Sequence, residues 1–176
     1  MNNLSFHITD ITTNSIRANA SEIQLYVEEQ NSTIIIRITD NGFGMDRETL
    51  VRVTNPFYTT RTTRKVGLGI PFLIQNAEQT GGSVVITSEL GKGTEVTACF
   101  HSNHIDCPPW GDLPGTVAML ITGNPEVNVC FEYCSGEIDF TINTNEIRES
   151  LDGIPLSYPK VMLLVKEIIG SNINIF

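Results

Sequence analysis

Apolar residues recur at a helical period over residues 4–19. Leu4, Ile8, Ile11, Ser15 and Ala18 fall on one stripe, and His7, Asp10, Asn14 and Arg17 on the opposite one. This predicts an amphipathic helix with a polar face. The period then drops to two. Ile23, Leu25 and Val27 alternate over 22–28, Gln30-Asn31-Ser32 reads as a turn, and 33–39 returns with Ile34, Ile36 and Ile38 on one face. The predicted hairpin ends at Asp40. Asp46 caps a short helix over 47–53, followed by a Thr- and Arg-rich loop over 54–66. Gly67-Leu68-Gly69 opens a helix over about 70–80, with Pro71 in its first turn and Gly81-Gly82 as its stop. Two more strands, 83–88 and 94–100, flank the turn Gly91-Lys92-Gly93.

The texture changes at Cys107-Pro108-Pro109-Trp110, which places a boundary near 102–110. The division expected is a domain over 1–103 and a small α+β module over 104–176. In that module a helix is predicted over 112–122 and a hairpin, 126–134 with 137–143, around Ser135-Gly136. Helices follow over 145–151 and 158–169, with Gly170 ending the second. Val161, Leu164, Val165 and Ile168 read as its core-facing side, and the Trp110 segment as core too.

Length and composition narrow the class. The 176 residues suffice for a core without metals or disulfides, and the 40% hydrophobic, 18% charged make-up is that of an ordinary globular chain. A net charge of −9 argues against non-specific binding to nucleic acid or anionic membrane. Arg61, Arg64 and Lys65 form one local basic patch. Cys99, Cys107, Cys130 and Cys134 form no CxxC, and His7, His101 and His104 lack zinc spacing. Cys130 and Cys134 share a face of a predicted strand, and the cysteines read as reduced core thiols of a cytoplasmic protein. No apolar run approaches the roughly 20 residues of a membrane span, and no signal peptide is expected before the first helix.

Several weak chemical signals then fall in one order. Asp10 and Asn14 are four apart, so they meet on one helical face, with Arg17 one turn further. An amide oxygen suits magnesium beside a triphosphate, and a carboxylate nearby can orient or deprotonate a nucleophile. Asp40 closes a strand of aliphatics and offers an acceptor to an exocyclic amine such as that of adenine. Gly42 and Gly44 let backbone pass close to a flat ring. Thr59 through Lys65 supply hydroxyls and positive charge just before Gly67-Leu68-Gly69, whose helix start favours phosphate. Gly93-Thr94 comes last. Each signal alone fits a solvated helix face, a turn or a loop; their shared order points to a nucleotide site.

At these residues the chain resembles the GHKL ATPase superfamily, which takes in gyrase, the large heat-shock chaperones, histidine kinases and mismatch-repair ATPases. The resemblance covers roughly residues 1–101. Asp10 through Asn14 with Ser15 is similar to the N-box, Asp40-Asn41-Gly42-Phe43-Gly44-Met45 to the G1 box, and Asn55-Pro56-Phe57-Tyr58-Thr59-Thr60 to the F-box region of histidine kinases. Gly67-Leu68-Gly69-Ile70 resembles the G2 box and Gly91-Lys92-Gly93-Thr94 the last one. The resemblance implies an α+β fold, a two-layer sandwich of a mixed sheet on helices, with ATP under a lid. It implies that Asn14 holds magnesium and Asp40 the adenine amine. Gly42, Gly44 and Met45 would lie along the base, Thr94 would support the Asp40 end, and Arg17, Thr60, Arg61 and Lys65 would contact phosphates. The backbone at Gly67, Leu68 and Gly69 would hold them too. Arg17 and the Gly-Leu-Gly-Ile helix favour the histidine-kinase branch.

Two departures shape the expected function. The N-box usually carries Glu where this chain has Asp10, one methylene shorter, which weighs on hydrolysis more than on binding. The chain as given leaves no room before the first helix for a helical segment bearing a phospho-acceptor histidine, so an acceptor on another chain is expected. The reading is a cytoplasmic bacterial signal-transduction protein that binds ATP and Mg2+. It would be a stand-alone kinase or slow ATPase with Asp10 as general base, working with a separate partner protein. The alternatives are a sensor that binds nucleotide without turnover, or a serine kinase of the anti-sigma-factor type.

Overall fold

The computed structural model describes residues 3–54, 69–173 and 175. The first helix, α1 (Leu4–Arg17), is capped by the Asn3 side chain, which accepts from Phe6 N–H at 2.7 Å. Strands β1 (Glu22–Gln30) and β2 (Thr33–Asp40) form the expected hairpin. The short helix α2 (Arg47–Thr54) starts on Asp46, whose carboxylate accepts from Thr49 N–H at 2.7 Å. Helix α3 (Gly69–Gln79) and strands β3 (Ser83–Glu89) and β4 (Gly93–His101) follow. Beyond them lie α4 (Leu113–Gly123), β5 (Asn128–Ser135), β6 (Ile138–Asn143), α5 (Thr144–Ser150) and α6 (Pro159–Asn172).

All six strands belong to one mixed sheet in the order β3-β4-β2-β1-β5-β6. Every pairing is antiparallel except β1 with β5, which run parallel; α4 carries the chain from β4 to β5. The sheet therefore continues across the 103/104 division. Alternation decides its faces. Ile23, Leu25, Val27, Ile34, Ile36, Ile38, Val96, Ala98, Phe100, Val129, Phe131 and Tyr133 turn inward to one core. Helices cover that face, with α1 packed between α3 and α4, and α6 against α4 and β6. This is the α+β, two-layer fold expected. Among the described residues no helix is long and apolar enough to cross a membrane.

Four expectations change. Cys99, Cys130 and Cys134 are free thiols, but they alternate with the core residues and lie on the opposite face of the sheet, half-buried. Burial pushes the Cys130 and Cys134 thiols up from the ordinary value, assisted by Glu132 and Asp139 respectively. On α6 the buried stripe is Val161, Val165 and Ile169, while Leu164 is 49% exposed and Ile168 is exposed as well. The buried side of the helix is turned toward Ile169 and away from Leu164 and Ile168, because its neighbour α4 takes the 161/165/169 side. Gly170 does not end α6; it faces Pro114 of α4, 3.8 Å from where a Cβ would stand, and the helix runs on to Asn172. His7 belongs to the core and not to the solvated stripe, as described below.

The entry to α1 is held from the far side of the chain. Leu4 N–H donates to Pro109 O at 2.9 Å, and Ser5 donates to Trp110 O through both its N–H (3.0 Å) and its hydroxyl (2.5 Å). Trp110 is buried, as its segment was expected to be. These bonds satisfy helix-start donors that otherwise lack partners.

Candidate functional site

Asp40 is the last residue of β2 and is 9% exposed. Its carboxylate accepts from Ser15 hydroxyl on Oδ2 at 2.5 Å and from Gly42 N–H on Oδ1 at 2.9 Å. The loop after it is pinned from three sides. Asn41 Oδ1 accepts from Ser21 and Glu22 N–H at 2.9 and 3.0 Å. Phe43 N–H donates to Ala18 O at 2.9 Å, at the end of α1. Gly91 N–H donates to Phe43 O at 2.7 Å, and Met45 N–H donates to Ser88 Oγ at 2.8 Å.

Glycine is needed here for contact as well as for angle. Gly44 has φ of 66°, and a Cβ on it would lie 2.1 Å from Glu89 O. Gly93 has φ of 111°, and a Cβ there would lie 1.9 Å from Asp40 O. A Cβ on Gly42 would meet Ala18 O at 2.7 Å. The G1-like run and the last glycine turn thus interlock around the end of β2.

Thr94 stands directly opposite Asp40 in the β2–β4 register and opposite Ser88 in the β3–β4 register. Its hydroxyl is 2.8 Å from Ser88 Oγ, and Ser88 donates to Gly93 O at 2.9 Å. With the single Ser88 proton so engaged, Thr94 is the donor between the two hydroxyls.

Asp10, Asn14 and Arg17 follow one another along α1, with Asn14 and Arg17 exposed and Asp10 half-buried. Gly69, the first residue of α3, lies against Asp10: a Cβ on it would be 2.8 Å from Asp10 Oδ2. Burial raises the Asp10 carboxyl above its ordinary value, and the Arg17 charge partly opposes that shift. A carboxylate so placed is a better proton acceptor than a fully solvated one.

His7, one turn before Asp10, is 2% exposed and sits between α1 and α3. Its Nε2 lies 2.8 Å from Asn76 Nδ2; with that amide donating, the ring proton falls on Nδ1, which has no partner among the described residues. Burial pushes its pKa down, so it stands as a neutral packing group and not as a second base beside Asp10.

The structure therefore gathers Asp10, Asn14, Arg17, Asp40, Gly42, Gly44, Met45, Gly69 and Thr94 around the α1 face, the end of β2 and the start of α3. Thr60, Arg61, Lys65, Gly67 and Leu68, with the F-box-like run, lie outside the described residues. Three residues escaped assignment from the sequence: Ser15 as the donor to Asp40, Ser88 as the hub between Met45 and Thr94, and Asn76 as the partner of His7. Only Ser15 carried a signal, as the polar member of an otherwise apolar stripe.

Residues 3–104 match the family described as histidine kinase-, DNA gyrase B-, and HSP90-like ATPase. The match spans more than half of the chain, and the chain belongs to that family. Relatives include the sensor histidine kinase YvrG of Bacillus subtilis, 30% identical over 93 residues, which are 49% of this chain and 16% of that protein. Sensor kinase CckA of Brucella abortus is 32% identical over 88 residues, 49% of this chain and 9% of that protein. The chain thus corresponds to a small part of these kinases. Among solved structures, the N-terminal domain of a DNA repair protein superposes with a TM-score of 0.59 at 14% identity. That alignment covers 81% of this chain and 52% of the other, a likeness of fold.

Proposed function

We propose that this chain binds ATP with Mg2+ and passes the terminal phosphoryl group to a protein acceptor or, slowly, to water. The observation that carries the reading is the fixed Asp40 carboxylate at the end of β2, with Asp10 and Asn14 on the facing helix and Gly69, the first residue of α3, against Asp10. Asp40 would take the purine amine, and Gly42, Gly44 and Met45 would line the base. Asn14 would hold magnesium, and the exposed amide on α1 fits a hard cation that keeps most of its waters. When bound, the metal would neutralise phosphate charge. Arg17 and the first amides of α3 would attract phosphate oxygens. Asp10 would hold and accept the proton of the attacking group, its basicity raised by partial burial. Arg61, Lys65, Thr60 and the backbone at Gly67 and Leu68 are proposed as further phosphate contacts. Residues 104–176 are proposed as a module that braces the site and meets a partner, in a cytoplasmic setting.

Calorimetric titration with ATP and ADP, with and without magnesium, tests the reading. Magnesium-dependent ATP binding that weakens at least tenfold in Asp40→Asn is expected. No binding at millimolar nucleotide by a folded chain overturns it. A second reading, a sensor without turnover, is favoured by the close packing of Asp10 on Gly69. Asp10→Asn separates the two: turnover is lost in an enzyme, while binding survives in both.

A further inference from the structure

We propose that Ser15 is a positioning residue that sets the base selectivity of this site, by holding Asp40 as an acceptor for a purine amine. The inference rests on the nucleotide reading above and goes beyond it, to which bases are admitted and which side chain decides.

Ser15 Oγ lies 2.5 Å from Asp40 Oδ2 and 3.3 Å from Ile11 O, and Ser15 is buried. A serine on a helix commonly returns its proton to the carbonyl four residues back. Here the short contact to a carboxylate takes it, since a hydroxyl has one proton and a charged acceptor makes the stronger bond. Gly42 N–H donates to the other oxygen. Asp40 is thus held from two elements at once, α1 and the loop after β2, and turning its carboxylate breaks one bond or the other.

The position of Ser15 is itself fixed by backbone. Phe43 N–H donates to Ala18 O, and Gly42 packs against Ala18, so the end of α1 and the loop are tied together by backbone. With a donor on each oxygen, Asp40 has only lone pairs left to offer. A base edge set against them must bring an N–H. The amine at position 6 of adenine does so, whereas the carbonyl of hypoxanthine presents a second acceptor. A site built for a donor rejects its absence more strongly than an apolar pocket rejects a change of shape. Ser15 also adjoins Asn14, so one turn of α1 carries both the proposed magnesium ligand and the group that orients the base acceptor.

The test compares ATP with inosine triphosphate, which differs at position 6, by calorimetry on the full chain with magnesium. The proteins are the unmodified chain, Ser15→Ala and Ser15→Thr. The expected result is that Ser15→Ala weakens ATP about tenfold or more and leaves inosine triphosphate nearly unchanged. The ratio of the two affinities then falls by that factor, and Ser15→Thr, which keeps the hydroxyl, restores it. An unchanged ratio in Ser15→Ala overturns the proposal even if both affinities drop, because a merely structural serine affects both nucleotides alike. Should Ser15→Ala not fold, Ser15→Cys is near in size with a weak donor, and it must show the same fall in ratio. If the unmodified chain binds neither nucleotide, the nucleotide reading fails and takes the inference with it. That outcome is distinct, since Asp40→Asn then changes nothing either.

Discussion

The two sides of the sheet are built on different principles. On the β3-β4-β2 side, polar groups hold one another: Asp40 with Ser15 and Gly42, Asn41 with Ser21 and Glu22, Ser88 with Met45, Gly93 and Thr94. Gly42, Gly44, Gly82 and Gly93 there admit backbone closer than any side chain allows. On the β5-β6 side, Phe131, Tyr133 and Ile142 pack under α4 and α6, and its hairpin glycine, Gly136, has nothing within 4 Å of a Cβ. The first side is specified more by directed contacts and the second more by volume, with buried Thr144, which accepts from Val129 N–H and donates to Val129 O, as its polar anchor. Geometry is costly to hold, and it is concentrated around the candidate site.

That contrast can be broken most sharply at glycine. Gly93→Ala is expected to cost about 4 kcal/mol or more, because backbone must move against backbone at an unfavourable φ. Gly136→Ala, at φ of 58° with open space, is expected to cost only about 1 kcal/mol. Urea unfolding of the two variants measures the difference, and equal losses would erase the distinction between the sides.

Next in size, Phe131→Ala should lose about 3–5 kcal/mol, as a fully buried aromatic leaves a cavity. Below its lowered Tm this variant should still bind nucleotide within a few-fold of the unmodified chain. Loss of binding in a folded Phe131→Ala would show that the volume-packed side also sets the site.

A smaller effect concerns acid. His7 has its pKa lowered below the ordinary 6.5 by burial, so the unfolded chain takes up a proton before the folded one. Stability should therefore fall as pH drops below about 6.5. Asp10 has the opposite sign: its ionised form is penalised by burial, and that penalty is relieved as acid protonates it through its raised pKa. His7→Gln should flatten the decline in Tm between about pH 7.5 and 5.5; an unaltered slope would assign it to other groups.

The smallest effect expected is at the surface of α6. Leu164→Ser should change stability by no more than about 0.5 kcal/mol, whereas its neighbour Val165 is buried. A loss near that of Val165→Ala would mean that Leu164 is covered by something outside this chain.

Much of this is legible in the sequence. The alternation at Ile23, Leu25 and Val27 and at Ile34, Ile36 and Ile38, and the Asp46 cap, predicted elements to within a few residues, because each depends on near neighbours. The α6 orientation misled because four apolar neighbours, Val161, Leu164, Val165 and Ile168, fit two overlapping stripes. The choice between them belongs to α4. His7 misled for the same reason in reverse: a polar residue on the polar side of α1 is buried by α3, which supplies Asn76. The cysteines alternated as expected, yet which face of β5 turns inward depends on which side the helices pack.

By itself, then, the sequence determined the order of helices and strands, the glycine positions where backbone passes close, and the placing of Asp10, Asn14 and Asp40 at the ends and faces of those elements. These follow from periodicity, capping and turn chemistry, all of them local. Only the tertiary structure decided that β5 joins β1 in parallel, that Ser15 reaches Asp40 across 25 positions of chain, and that Gly69 comes to rest on Asp10. Those contacts join segments distant along the chain, and they exist only once the packing of α1 between α3, α4 and the sheet has fixed every distance among them.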